Sequence, residues 1–310
     1  MTHVADVIAA TIATHNSVAC VGLDPRVSLL PPVLRARYRN YGDDPREAVA
    51  AAFLDFNRNI IDAIAGHCAA VKPQSACYEA YGHYGIACLE ETIAHARAAG
   101  IPVILDGKRN DIGSTATHYR EMFRGGASDL QGGSCVTPGQ ADWLTVNGYL
   151  GSDGITPFLG QGAGNGGIFV LVKTSNPGSA ELQGQVSGDG LVMDAMARLV
   201  AAWGQDRVGD CGLSDIGAVV GATYPEEARQ LRALMPQTLF LVPGYGAQGG
   251  GAADALAGLR PQGDGVLVNS SRGIIAAWQD RSQGTWADDD WAAAARHALE
   301  RMNEDLNCHR

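Results

Sequence analysis

The apolar residues of this chain fall into eight short, nearly unbroken runs, at 18–24, 69–74, 101–108, 143–149, 168–175, 216–223, 238–244 and 265–270. Most lack the in–out alternation of a strand with one wet face. Such runs predict parallel strands covered on both sides. Between most of them the period lengthens to that of a helix. Residues 48–65 are alanine-rich with apolar positions at helical spacing, and 78–99 stop just before Gly100, as a helix C-terminus would. Residues 225–234 open with Pro225 in the first turn, and 291–303 close the chain. Eight strands alternating with helices predict an α/β fold, a single (β/α)8 TIM barrel over residues 1–310. A doubly wound open sheet is the competing arrangement. The barrel is preferred because eight units fill the chain and leave no residual domain.

Composition refines this picture. Glycine is abundant, with 40 residues, and much of it collects at 125–133, 160–167, 178–190 and 244–251. Core-forming strands flank each cluster, so these read as loops rather than linkers, and 178–190 is the expected closing loop. The connection 26–45, with Pro31-Pro32, is a surface excursion or a lid. Hydrophobic residues make up 46% of the chain, enough for a sizeable core, while a net charge of −10 argues against nucleic acid as a partner. No apolar run approaches the roughly 18 residues of a membrane span. The first residues lack a basic flank and include Asp6, so neither a signal peptide nor a membrane partner is expected, and the chain reads as cytoplasmic. Seven cysteines form no C-x-x-C pair, which favours reduced thiols over a zinc or redox site.

Candidate chemistry gathers where strands end, and in a barrel that end is the working mouth. The run 101–105 leads into Asp106-Gly107-Lys108-Arg109-Asn110-Asp111. Side chains on a strand repeat every second residue, so Asp106 and Lys108 should face the same way. Lys72 follows Ala69-Ala70-Val71 directly, and a lysine embedded there needs a partner or a role. An ion-pair lattice that merely fills the mouth is the plain alternative. Buried ion pairs rarely gain net stability over apolar packing, which favours a functional site. Asp24, Ser175 and Arg272 stand at or just beyond other strand ends.

Residues 244–249 match G-x-G-x-x-G, with Asp264 lying 20 residues beyond Gly244. A dinucleotide fingerprint, however, belongs in the first β/α turn, and this one follows the seventh strand. Loops after barrel strands 7 and 8 more often bind phosphate. There Gly246, Gly249 and Gly250 would let backbone N–H groups approach the oxygens, and the planar fork of Arg272 would grip the dianion. No histidine falls in a strand-end motif. Asp106 and Asp111 could hold Mg²⁺, but Lys108 between them would compete, so no metal is expected.

These motifs resemble orotidine 5′-phosphate decarboxylases of the bacterial subgroup found in mycobacteria and relatives. The resemblance rests on Val21-Gly22-Leu23-Asp24-Pro25-Arg26, Val71-Lys72-Pro73-Gln74, the run from Asp106 through Ile112-Gly113-Ser114-Thr115-Ala116, Thr145-Val146-Asn147, Thr174-Ser175-Asn176-Pro177-Gly178, residues 243–249 and Ser271-Arg272-Gly273. It implies cofactor-free decarboxylation of the nucleotide orotidine 5′-phosphate to UMP by a homodimer with shared active sites. Carried over by motif, Lys72, Asp106, Lys108 and Asp111 form a charged tetrad, with Lys108 as proton donor to C6. Asp111 and Thr115 would reach in from the neighbouring subunit. Asp24 and Lys72 would hold ribose hydroxyls, Ser175 the pyrimidine, and Gln248 and Arg272 the phosphate. The chain departs from the family in carrying Gly148 where proline is usual and a longer connection over 125–140. Two other readings are a Mg²⁺-dependent sugar-phosphate decarboxylase or aldolase of the same barrel group, and a non-catalytic barrel that binds a phosphate ligand.

Overall fold

The computed structural model describes residues 2–135, 139–159, 163–246, 249–280, 282, 284–287 and 289–310. Eight strands form the central sheet: β1 (Ala19–Leu23), β2 (Ala70–Pro73), β3 (Ile104–Arg109), β4 (Trp143–Val146), β5 (Gly167–Lys173), β6 (Ile216–Val220), β7 (Phe240–Pro243) and β8 (Val266–Ser270). They pair in the order β2-β1-β8-β7-β6-β5-β4-β3, every ladder parallel. Bridges from Val71 to Val103 and from Gln74 to Asp106 join the two ends of that order. The sheet is therefore a closed barrel, and all eight expected strands are present. β1, β2, β4 and β6 are buried along their whole length, as continuous apolar runs require.

Large and small side chains alternate around the barrel. Trp143 pairs with Gly167, Phe169 with Gly217, and Ala218 with Phe240. A Cβ on Gly167 would stand 2.2 Å from the Trp143 ring, and one on Gly217 would stand 2.5 Å from Phe169. These glycines leave room for the two aromatic rings, whose centroids lie 4.7 Å apart.

The helices mostly follow expectation, with three adjustments. Residues 78–99 do not form one helix: Ser75–Glu79 and Gly82–Ala98 are separate, and Gly82 at the break has φ +61°. Gly100, with φ +76°, ends the second as a left-handed cap, its N–H donating to Arg97 O. The last helix runs on to His309, packing against Pro45–Ile64. The connection 26–45 carries a 3-10 turn, Val27–Leu29, and a short helix, Pro32–Arg37. Trp278 Nε1 and Gln279 Nε2 donate to Leu29 O and Ser28 O, tying that excursion to the segment after β8. Among the described residues no helix is long and apolar enough to cross a membrane.

Candidate active site

The mouth of the barrel is built around Asp106. Its Oδ2 accepts from Lys72 Nζ at 2.6 Å and from Gln74 Nε2 at 3.1 Å. Its Oδ1 accepts from Lys108 Nζ at 2.6 Å and from Thr145 Oγ1 at 2.8 Å. Four donors from three strands or their ends thus converge on one carboxylate. Burial pushes the Asp106 carboxyl up, but the charges of Lys72 and Lys108 outweigh that and hold it below the ordinary carboxylate range. For Lys72, burial disfavours the cation; Asp106 and then Asp24 reverse this and raise the group above the ordinary lysine value.

Local backbone geometry makes the convergence possible. The β3–β4 register shifts between Leu105 and Arg109, and Lys108 has φ +45°, a left-handed conformation that non-glycine residues seldom adopt. Thr145 Oγ1 accepts the Lys108 backbone N–H at 2.9 Å and so braces this residue. Strain of this kind, about 1–3 kcal/mol, persists only where surrounding contacts over-determine it. The neighbouring Arg109 turns away, forming an ion pair with Glu79 and lying over the Tyr119 and Phe123 rings. It holds the wall of the barrel.

Beside this cluster opens a cavity of about 550 Å³, walled by Asp24, Lys72, Asp106, Lys108, Ser175 and Asn269 among others. That size suits a small-molecule ligand, for which pockets of roughly 300–1,000 Å³ are usual. Asp24 Oδ1 and Asn269 Oδ1 are buried and accept no hydrogen bond from the described residues. Gln183 is spent locally, its Oε1 accepting from Thr174 N at 3.0 Å and its Nε2 donating to Thr174 Oγ1 at 2.9 Å. It pins the 3-10 turn Pro177–Glu181 and the short hairpin of 186–191 beside the cavity.

A sequence profile described as the orotidine 5′-phosphate decarboxylase / HUMPS family matches residues 19–284, from β1 to beyond β8. The chain belongs to this family. It is 45% identical over 300 residues to the orotidine 5′-phosphate decarboxylase of Rhodopirellula baltica, covering 96% of each chain. Its counterpart in Caldicellulosiruptor saccharolyticus is 35% identical over 308 residues, covering 99% of each. Among solved structures, Leishmania donovani OMP decarboxylase superposes with a TM-score of 0.74 at 31% identity, covering 99% of this chain and 98% of that one.

The residues expected from the family motifs divide into three groups. Asp24, Lys72, Asp106, Lys108 and Ser175 all line the cavity. Asp111 and Thr115 do not: the Asp111 carboxylate accepts from Ile112 N at 2.8 Å, and Thr115 is exposed on the helix Gly113–Arg124. Arg272 stands exposed just after β8, and its guanidinium has no carboxylate partner among the described residues. Gln248 lies outside the described residues.

The glycine loop after β7 needs a correction. The Gly246 N–H donates to Gly250 O at 2.9 Å, Gly249 N–H to Gly246 O at 2.9 Å, and Gly250 N–H to Gly244 O at 3.3 Å. The amides expected to cradle phosphate are consumed in closing the turn. Gly246 and Gly249, at φ +70° and +91°, serve that turn. Gly148 has a packing reason of its own. A Cβ there would stand 2.7 Å from Met196 Sδ and 2.9 Å from Val170 Cγ1, so this loop is packed too closely for a side chain.

Thr145 and Gln74 are the donors to Asp106 for which sequence suggested no role. Both stand inside quoted motifs, but their link to Asp106 depends on which strands neighbour β3. Leu105 pairs with Leu144, which sets Thr145 beside Asp106, and the Gln74–Asp106 bridge does the same from the other side.

Proposed function

We propose that this chain converts orotidine 5′-phosphate to UMP and CO2 without a cofactor, the last step of de novo pyrimidine synthesis, and that Lys108 gives the proton to C6. The observation that carries the donor role is the contrast between two ammonium groups on one carboxylate. Lys72 and Lys108 both lie 2.6 Å from Asp106, but the Lys72 side chain is 6% exposed and that of Lys108 46%. Lys72 is fixed in the wall, whereas Lys108 reaches the open side of the cavity.

As the C6–carboxylate bond breaks, CO2 departs and the electron pair stays on C6. The Lys108 ammonium stabilises that charge, then transfers a proton to C6 and becomes a neutral amine, which regains a proton from solvent. Unit charges 4 Å apart attract by about 4 kcal/mol at an effective dielectric of 20. Since ~1.4 kcal/mol of differential stabilisation is worth about tenfold in rate, the ammonium accounts for only part of a large acceleration. Asp106 holds both lysines, and it sits where a substrate carboxylate would feel its charge. Positioning by its four donors is the larger role in this reading.

Asp24 Oδ1, buried and without a donor among the described residues, suits a ribose hydroxyl, with Lys72 beside it. Ser175 faces the base, and Arg272, with Gln248, takes the phosphate through its planar fork. Asp111 and Thr115 serve the site of a second subunit in a homodimer. Their position off the cavity of their own subunit supports this, because it leaves both available to a neighbour. The chain acts as a single barrel domain in the cytoplasm, and the Asp106–Ala116 run groups it with the mycobacterial-type enzymes.

A Mg²⁺-dependent reading fits the donor set less well, because both Asp106 oxygens are already engaged by four donors. The test is release of CO2 from orotidine 5′-phosphate with and without EDTA. Equal turnover is expected, and loss of turnover with EDTA would sink the cofactor-free reading. Lys108→Ala should lose turnover by more than about a hundredfold while retaining its fold. Near-normal turnover would refute the donor role. Arg272→Ala should chiefly raise KM, and an unchanged KM would contradict the phosphate assignment.

A further inference from the structure

A second cavity, of about 570 Å³, opens at the opposite end of the barrel. Its walls come from segments that enter strands rather than leave them: Gln140–Asp142 before β4 and Asn165–Gly166 before β5, together with the N-terminal helix Val4–His15. Three arginines line it, Arg97 from the end of one helix and Arg120 and Arg124 from the last turns of another. In a chain of net charge −10 this is a local concentration of positive charge.

Among the described residues the hydrogen bonds of these arginines go to backbone carbonyls, and the carboxylates paired with them stand at 3.5 Å or more. Arg97 Nη1 donates to Gln140 O at 2.7 Å, and Arg124 donates to Asp142 O and Asn165 O. Those partners are backbone carbonyls, which orient a guanidinium without neutralising it. Asp142 comes within 3.5 Å of Arg97 alone, and its other oxygen already accepts the Val103 N–H. Among the described residues Arg120 has only Glu121, at 3.8 Å, as an ionic partner, and its Nε is buried without an acceptor. Burial pulls Arg124 down to about 10, with Arg120 and Arg97 adding to the effect against Asp142 and Asp215. The backbone also makes room: Gly166 has φ +130°, and a Cβ there would overlap the Arg124 guanidinium.

We propose that this basal cavity is an anion site for the phosphate group of a small metabolite, separate from the catalytic mouth. Arg120, with its unpartnered Nε, is a donor, Arg97 the exposed rim, and Arg124 the fixed floor. Arginine forks match phosphate oxygens bidentately, and a dianion would relieve the mutual repulsion of the three groups. The stability reading of a barrel's lower face explains Arg124, but not the unpartnered Arg120 Nε or the open volume.

Calorimetric titration with inorganic phosphate and with pyrophosphate tests this in wild type, Arg272→Ala and Arg120→Ala. Binding of at least one anion should persist in Arg272→Ala, which lacks the mouth's phosphate grip. Adding Arg120→Ala to that variant should weaken the remaining binding roughly tenfold or more. Arg120→Ala alone should leave kcat/KM for decarboxylation unchanged, which also reports an intact fold. Arg97→Ala, at an exposed position, is the second variant and should weaken binding in the same direction. The proposal is overturned if Arg272→Ala abolishes all binding, or if neither basal variant changes the affinity. It is equally overturned if wild type binds neither anion outside the mouth. None of these outcomes depends on which substrate the mouth decarboxylates.

Discussion

Lys72 and Lys173 look alike along the chain and end in different chemistry. Each follows a run of apolar residues at the end of a strand, and each is almost fully buried. Lys72 faces the cavity, shares Asp106 with Lys108 and has Asp24 near enough to act on its charge. Lys173 turns aside. Its Nζ lies 3.1 Å from Glu227 and 4.1 Å from the Tyr224 ring centroid, at the head of the helix Pro225–Leu234. The cause is a register shift in β5 between Leu171 and Lys173. By strict alternation Lys173 would share a face with Leu171, which lines the cavity; an extra residue in the ladder reverses the phase. A buried lysine at a strand end is therefore not by itself a catalytic one. What distinguishes Lys72 is a partner carboxylate that also faces an open cavity.

The sharpest break in this comparison is to remove the two ammonium groups in turn. Lys72→Met should reduce kcat by roughly a hundred- to a thousandfold. It should also destabilise the fold by about 3–5 kcal/mol, because Asp106 keeps only one cationic partner in a buried site. Steady-state kinetics and urea unfolding check both, and a kcat within threefold of wild type would place Lys72 with Lys173. Thr145→Val removes a donor to Asp106 and the brace on the Lys108 backbone. A loss of about tenfold in kcat with little change in KM is expected, with Thr145→Ser restoring most of it. A fall confined to KM would contradict the positioning role.

Acid sharpens the comparison further. Folded Asp106 is held below its unfolded ionisation range, so its contribution to stability is full above about pH 4 and is lost as pH falls through the folded value. The stability gap between wild type and Asp106→Asn should shrink as pH drops below about 4. A gap that stays constant under acid would mean that Asp106 stabilises by packing rather than by charge. The smallest effect belongs to Lys173→Met. Glu227, with 31% of its side chain exposed, can return to water, so the cost should be about 1–2 kcal/mol. Its kcat/KM should stay within threefold of wild type, and a larger loss would move Lys173 into the working site.

Much of the site was legible because alternation and position along a strand are local properties. Asp106 and Lys108 were expected on one side, and they meet at 2.6 Å even though Lys108 leaves the extended conformation at φ +45°. Asp24 and Ser175 were located by the same rule, as neighbours of strand ends in a barrel. Where the rule was carried further it met its limit. The glycines at 246, 249 and 250 marked a turn correctly, but the spacing of glycines does not say where their N–H groups point.

The sequence by itself determined the eight buried strands, their parallel sense and the charged pair at the end of the third. Each follows from short-range pattern, because burial on both faces demands unbroken apolar runs and helical crossovers demand parallel pairing. The bridges from β2 to β3 closed the barrel. Tertiary structure alone decided which side chains from different strands share a carboxylate. It brought Gln74 and Thr145 to Asp106 through the neighbours of β3, sent Lys173 away through one shifted register, and left Asp111 and Thr115 off the cavity. It also gathered Arg97, Arg120 and Arg124, drawn from two helices, around one basal cavity. The physical reason is the same in each case. Pairing across strands and between helices joins residues far apart in the chain, and no local periodicity records it.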